Sequence, residues 1–291
     1  MKKRNPYWRY TTGIAAGGKD RKTGKEKNMG EEFKRQEQKA SEIGHVEKNL
    51  PEVFPRYCLL PGDPDRVDVM SAQWDPGVTS YDLARRERAA VGTYKGSPIG
   101  ACDTGMGGGS VEIYLTDLVA RGADTFIRVG TTGSIQEHVK VGDIVINDAC
   151  VRMDGTSDLY VLKGYPAAAN YLVTAALVEA CEKLGFRYHV GVGCTCASFY
   201  TGQCRTTIGG YRPSGADRLF DDLRQAKVLN FEMEGATIFT LARIFGKRAG
   251  MCASVVAHRL TGEWLEDPEA EARACLVGAE ALHILEERER A

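Results

Sequence analysis

No stretch of the 291-residue chain reaches the roughly 18 consecutive apolar residues that a membrane-spanning helix needs, so no such helix is expected. The opening MKKRNPYWRY is basic, but no apolar core follows it, and a secretory leader is not expected either. An excess of one charge sign is also missing. The 38 Lys and Arg face 39 Asp and Glu, a formal net charge of −1, which leaves no overall basic footprint for nucleic acid. The nine cysteines are odd in number and lack the paired C-x2-C spacing of a structural zinc site. Cys194 and Cys196 form an isolated C-x-C with Cys204 nearby, and they read as small apolar packing rather than metal ligands. Cys58, Cys102, Cys150 and Cys252 lie inside apolar runs. Buried thiols in a chain without an export signal predict a cytoplasmic, reduced protein. No metal is expected.

What is present divides near residue 43. Residues 1–43 hold twelve Lys and Arg against six Asp and Glu, with Gly-rich polar runs. Such a segment buries too little apolar surface to fold alone. It is expected to be a basic extension, disordered or partly helical around 30–42, and Met29 is an alternative start. Residues 44–291 carry no internal repeat and no linker, which predicts one domain with hydrophobic residues, 43% of the chain, in ample supply for a core.

Short apolar runs recur through that domain: YCLLPG, PIGACDTG, DTFIRVG, VGDIVINDACV, YHVGVGCT, VLNFEME and GMCASVVA. Between several of them lie stretches with apolar residues at three- and four-residue spacing: VEIYLTDLVARG, NYLVTAALVEACEKLG, GATIFTLARIFG and PEAEARACLVGAEALHILEERE. Strands alternating with amphipathic helices predict an α/β domain with a central, mostly buried sheet.

Ligands of α/β folds bind beyond the carboxyl ends of the strands. There the sequence places GDPDR, TGMGGGS, RVGTTGS, ASFYTGQCR, EMEG and HR. Gly-rich turns let backbone N–H groups approach an anion, and arginine meets phosphate with a two-pronged fork. Singly, GDPDR and TGMGGGS serve as plain turns. Together, Gly62, Arg66, Arg128 and Thr131 point to an oxyanion pocket. In LNFEMEG, Glu232 and Glu234 share one face if the segment is a strand. Their alternative is a helix start with Asn230 as the cap and acids in the first turn. Burying carboxylates is costly unless they are hydrogen-bonded, and a polyol beside the phosphate site would supply those bonds. Phosphate next to polyol suggests chemistry on a sugar.

PGDPDRV (61–67), TGMGG (104–108), FIRVGTTG (126–133), FYTGQCR (199–205), NFEMEGAT (230–237) and AHR (257–259) together resemble the nucleoside phosphorylase/uridine phosphorylase family, from about His45 to the C-terminus. The resemblance implies a single-domain three-layer sandwich, a central mixed β-sheet flanked by helices. It implies phosphate binding by Gly62, Arg66, Arg128 and Thr131. A further phosphate arginine comes from a neighbouring subunit, and here it is Arg85 by gapless counting or Arg86 by its Arg-Glu pair. Ribose falls to Glu232, Met233 and Glu234, with His45 reaching from the neighbour to the 5′-hydroxyl. Phe199, Gln203, Arg205 and Arg259 face the base, and the FY-x-GQ-x-R pattern selects pyrimidines.

The implied reaction is reversible phosphorolysis of uridine to uracil and ribose 1-phosphate, with Arg66, Arg128, Gln203, Arg205 and Glu234 carrying the chemistry. Inorganic phosphate is a co-substrate and no cofactor is implied. A monovalent cation at the subunit interface would fit Glu87 only if Arg86 is the phosphate arginine. The borrowed residues imply a homo-oligomer, at least a dimer and often a hexamer built as three dimers. The rivals are a purine enzyme of the same fold with His258 as acid, a nucleosidase using water, and a nucleoside-binding protein without turnover. Trp264, His138, His189 and His283 carry no motif and read as packing or surface.

Overall fold

The computed structural model describes residues 49–265 and 267–291. The expectations for the extension 1–43, for Met29 and for His45 lie outside the described residues. Ten strands form one mixed sheet: β1 (Tyr57–Leu60), β2 (Thr79–Asp82), β3 (Arg88–Tyr94), β4 (Ser97–Cys102), β5 (Thr125–Ser134), β6 (Ile144–Met153), β7 (Ala167–Ala168), β8 (Tyr188–Cys196), β9 (Asn230–Glu232) and β10 (Arg248–His258). Six α-helices accompany them among the described residues: α1 (Pro64–Ser71), α2 (Gly108–Ala120), α3 (Tyr171–Leu184), α4 (Ala216–Gln225), α5 (Gly235–Ile244) and α6 (Pro268–Arg290). The family's helix-flanked mixed sheet is the architecture found.

Each of the seven apolar runs became a strand, and most are covered on both faces, β8 excepted, where Val190 and Val192 stay exposed. In β1, Tyr57 and Leu59 pack with α1, α3 and α6, whereas Cys58 and Leu60 pack with α2 and α5. A strand with two buried faces reads as a continuous apolar run. The four long helices begin and end close to their periodic patterns, held by local chemistry. The Asn170 carboxamide accepts the Leu172 and Val173 N–H groups, and Gly185 closes α3 in the left-handed region at φ 72°. Asp267 caps α6, with Pro268 behind it.

Two features were not legible from periodicity. GDPDR is more than a turn. Asp63 accepts the Asp65 N–H at 3.0 Å, Pro64 starts a helix, and α1 carries Arg66 in its first turn. The second is closure. The parallel strands β5 and β10 pair along most of their length, and β10 also pairs antiparallel with β6. With β6–β8, β8–β9 and β9–β5 pairings, five strands close on themselves. The carboxyl ends of β1, β4, β5 and β10, which are parallel in sequence of pairing, therefore open on one side of the molecule.

Candidate active site

LNFEMEG is not a helix start capped by Asn230, and it is a strand only as far as Glu232, with Met233 at the bend. Strand β9 stops at Glu232 and helix α5 starts at Gly235, so the two glutamates straddle a strand-to-helix bend. Asn230 is inside the strand, where it bonds Thr132 and Asn147 and caps nothing. The buried Glu232 carboxylate accepts the backbone N–H groups of Glu234 and Gly235, each at 2.7 Å, and the Thr195 hydroxyl. Thr195 Oγ1 in turn accepts the Ala236 N–H at 2.8 Å. Three donors at the start of α5, the N–H groups of Glu234, Gly235 and Ala236, are thus satisfied from within the chain. Burial first, and the Glu234 charge second, push the Glu232 carboxyl up to about 6.

Glu234 is held differently. One oxygen accepts the Gly107 N–H at 2.7 Å, and the other pairs with the buried guanidinium of Arg128. Arg128 projects from the middle of β5, with its Nη1 3.4 Å from the Leu60 carbonyl and its Nε buried without a partner. Gly62 lies against it. A Cβ there would stand 3.1 Å from the Gly105 carbonyl and 3.3 Å from Arg128 Nη1, so glycine is what leaves the approach open. The turn after β4 is fastened in two directions. Thr104 donates its N–H to Pro61 at 3.0 Å, and Asp103 accepts the Gly105 N–H at 2.9 Å.

Arg128, Glu232 and Glu234 border an open cavity of about 180 Å3. Arg128, Thr131 and Gly133 enter from β5, and Glu232, Met233 and Glu234 from the bend. Phe199, Gln203 and Arg205 enter from the loop after β8, and Trp264 from the segment after β10. Of the residues singled out from the sequence, the structure brings together on this wall Arg128, Thr131, Phe199, Gln203, Arg205, Glu232, Met233 and Glu234. Arg66 is not on that wall. Its buried guanidinium is ion-paired to Glu271 of α6, through Nε at 3.1 Å and Nη2 at 2.8 Å.

The far end of the cavity is cationic. The Arg205 guanidinium stacks on Phe199 at 4.6 Å from the ring centre. Arg259 sits behind, over Phe231 at 5.5 Å, and donates to the Gln203 carbonyl at 2.9 Å. Buried Nε of Arg205 and Nη1 of Arg259 have no partner. Burial lowers the Arg205 pKa, and burial and then the Arg205 charge bring Arg259 down to about 10. Both remain protonated at neutral pH, so this end offers unspent, charged donors. His258 is buried next to Arg259 but does not line the cavity. Its Nδ1 accepts the Thr261 N–H at 3.3 Å.

Arg85 and Arg86 are both exposed in the turn between β2 and β3, away from the cavity wall of their own chain. Arg86 occupies the left-handed region at φ 69°. Cys194 and Cys196 lie 3.7 Å apart, sulfur to sulfur, inside an apolar cluster with Cys204 and Phe231. Among the described residues no group of three His, Cys, Asp or Glu side chains is placed to hold a metal ion.

Four residues at or beside the site carried no sequence signal. Trp264 lines the cavity although it belongs to no motif. Thr195 sits within a strand run, and Glu271 looks like any first-turn helix acid. Asp103 is buried just after β4 with Oδ2 unpartnered. Burial, and then the Glu87 and Asp63 charges against that of Arg128, raise its carboxyl to about 6. A carboxyl whose folded pKa exceeds its unfolded value stabilises the fold at low pH and loses that contribution as pH rises through the folded value. Asp103→Asn, which keeps an acceptor for Gly105, should therefore gain on wild type as pH rises from about 4 to about 6.5, by on the order of 2–3 kcal/mol in all, and hold a steady lead above that. A difference in thermal unfolding that stays constant between about pH 4 and 8 would exclude the buried carboxylate.

Residues 56–285 match the Phosphorylase superfamily. A uridine phosphorylase of Thermococcus kodakarensis is 51% identical over 240 residues, covering 81% of this chain and 86% of that protein. A uridine phosphorylase of Escherichia coli is 39% identical over 209 residues, 71% of this chain and 81% of that one. A guanosine phosphorylase of Halorubrum lacusprofundi is 34% identical over 206 residues, covering 70% and 79%.

Proposed function

The chain belongs to the phosphorylase superfamily, and from that premise we propose that it catalyses the reversible phosphorolysis of uridine to uracil and ribose 1-phosphate. The observation that carries the base assignment is the pair of unspent arginine donors, Arg205 Nε and Arg259 Nη1, behind Gln203. Buried charged donors without partners are expensive unless a ligand supplies acceptors. Uracil presents two carbonyl oxygens, and these gain negative charge as the C1′–N1 bond breaks.

Phosphate binds at the other end, by Gly62, Arg66, Arg128 and Thr131. Ribose lies between them over Met233, with its 2′- and 3′-hydroxyls on Glu234. The sugar becomes oxocarbenium-like as the base leaves. The phosphate oxygens stabilise that positive charge and then attack C1′, while Gln203 and Arg205 donate to the departing uracil. Holding both reactants in one cavity turns a bimolecular step into an effectively unimolecular one. Arginine does not deprotonate at neutral pH, so its role is electrostatic rather than acid catalysis. Residues of the chain and inorganic phosphate suffice for these steps.

A homo-oligomer, at least a dimer, completes the anion site. Within one chain Arg128 and Arg66 each already face a carboxylate, Glu234 and Glu271. A phosphate dianion needs a further cation, and Arg85 or Arg86 of a neighbouring copy supplies it from an exposed turn. His45 of that copy reaches the ribose 5′-hydroxyl. The enzyme works in the cytoplasm, in pyrimidine salvage. Among the described residues no helix is long and apolar enough to cross a membrane.

The direct test is base release from uridine and from inosine, each with and without phosphate, followed by chromatography. Uracil release that requires phosphate is expected. Hypoxanthine release in preference would overturn the base assignment and return His258 to consideration as an acid. Release without phosphate would make the chain a nucleosidase, and none at all a binding protein.

A further inference from the structure

Arg66 has a buried guanidinium gripped along one edge. Its Nε and Nη2 both donate to a single oxygen of Glu271, at 3.1 and 2.8 Å. Neither bond uses Nη1. The glutamate is fixed from its own side. It stands in the first turn of α6, where Asp267 caps the helix and a carboxylate meets the positive end of the helix dipole. Glu271 also lines a side cavity together with Thr131, Val256 and Trp264, all three of which line the main cavity too. The carboxylate therefore stands where the anion end of the site branches.

We propose that Glu271 is a positioning residue for the phosphate site, holding the Nε–Nη2 edge of Arg66 so that Nη1 is presented to the incoming anion. The inference rests on the phosphate reading given above for Arg66. A long arginine side chain has many rotamers, and fixing it in advance removes that ordering cost from ligand binding. The opposite effect is conceivable on charge alone, because a carboxylate repels phosphate. Magnitudes decide between them. Glu271 is 38% exposed, so water screens its charge at a distance, whereas its grip on the buried Arg66 is direct contact at 2.8 Å.

The test is calorimetric binding of inorganic phosphate to the intact chain, paired with steady-state kinetics in both substrates. Glu271→Ala is expected to weaken phosphate binding about tenfold and to raise the phosphate KM alike, with the uridine KM changed less than about twofold. Glu271→Gln keeps the acceptor without the charge and should recover most of the loss. In an Arg66→Ala background, Glu271→Ala should add nothing further, a coupling that a merely structural role would not produce. Tighter phosphate binding in both Glu271 variants would overturn the proposal in favour of charge competition. Equal effects on the two substrates, or full additivity with Arg66→Ala, would also overturn it. Should wild type bind phosphate yet fail to turn over uridine, the functional reading falls, and the binding cycle still judges Glu271 by itself.

Discussion

Replacing Glu234 by glutamine is expected to lower kcat/KM for uridine about a thousandfold while the protein stays folded. Glu234 meets three demands at one position. It pairs with buried Arg128, it accepts the Gly107 N–H at 2.7 Å, and it faces the cavity where the ribose hydroxyls would lie. Glutamine preserves the size and one acceptor but removes the charge beside the developing oxocarbenium. Loss of one preorganised charge-stabilising contact typically costs about 10²–10³ in turnover. Here the same change also releases Arg128 from its partner, which puts the expectation at the upper end. Glutamine is the informative substitution, because alanine would strand a buried guanidinium at a stability cost of roughly 3–5 kcal/mol. Kinetics with uridine and a thermal melt on the same preparation check this. Near-normal turnover in a well-folded Gln variant would take Glu234 out of the ribose site.

Arg205→Ala should cost about 10²–10³ in kcat/KM for uridine and much less in any residual turnover of inosine. A leaving uracil spreads negative charge onto its carbonyl oxygens, and Arg205 carries a buried donor with no protein partner, flat against Phe199 at 4.6 Å. A purine leaving group places its charge elsewhere on a larger ring system. Arg205→Lys should recover little, because an ammonium neither stacks on Phe199 nor presents a planar fork. Assays with both nucleosides on all three proteins settle the matter, and equal losses on uridine and inosine would mean the base lies elsewhere in the cavity.

The two substitutions divide the cavity into halves of opposite electrostatic design. At the end proposed for sugar and phosphate, Arg128 meets Glu234 and Arg66 meets Glu271, so each cation is already neutralised within the chain. At the end proposed for the base, burial and then the Arg205 charge lower the Arg259 pKa, and both arginines have donors to spare. An anion at the first end must bring in outside positive charge, and a polar leaving group at the second finds it in place.

The sequence by itself determined the strands and long helices, because both depend on which residues are apolar at short spacing. Seven apolar runs and four periodic stretches became seven strands and four helices with little change of boundary. It also marked Arg128, Thr131, Glu232 and Glu234 on the cavity wall through charged and Gly-rich strand ends, whereas Phe199, Gln203, Arg205 and Met233 were marked only by the family resemblance. The tertiary structure decided what those residues touch. Nothing local says that Glu232 spends its carboxylate on the backbone of α5, or that Glu234, two residues on, spends its own on an arginine about a hundred residues away in β5. Spacing predicted a shared face, and the bend gave the two acids separate tasks. Likewise Arg66 and Glu271 stand 205 positions apart and meet only because α1 and α6 pack on the same side of the sheet. Periodicity is written by neighbours within a few residues. Pairing of buried charges is written by the fold, since the cost of an unpaired ion in the interior selects a partner wherever the chain brings one.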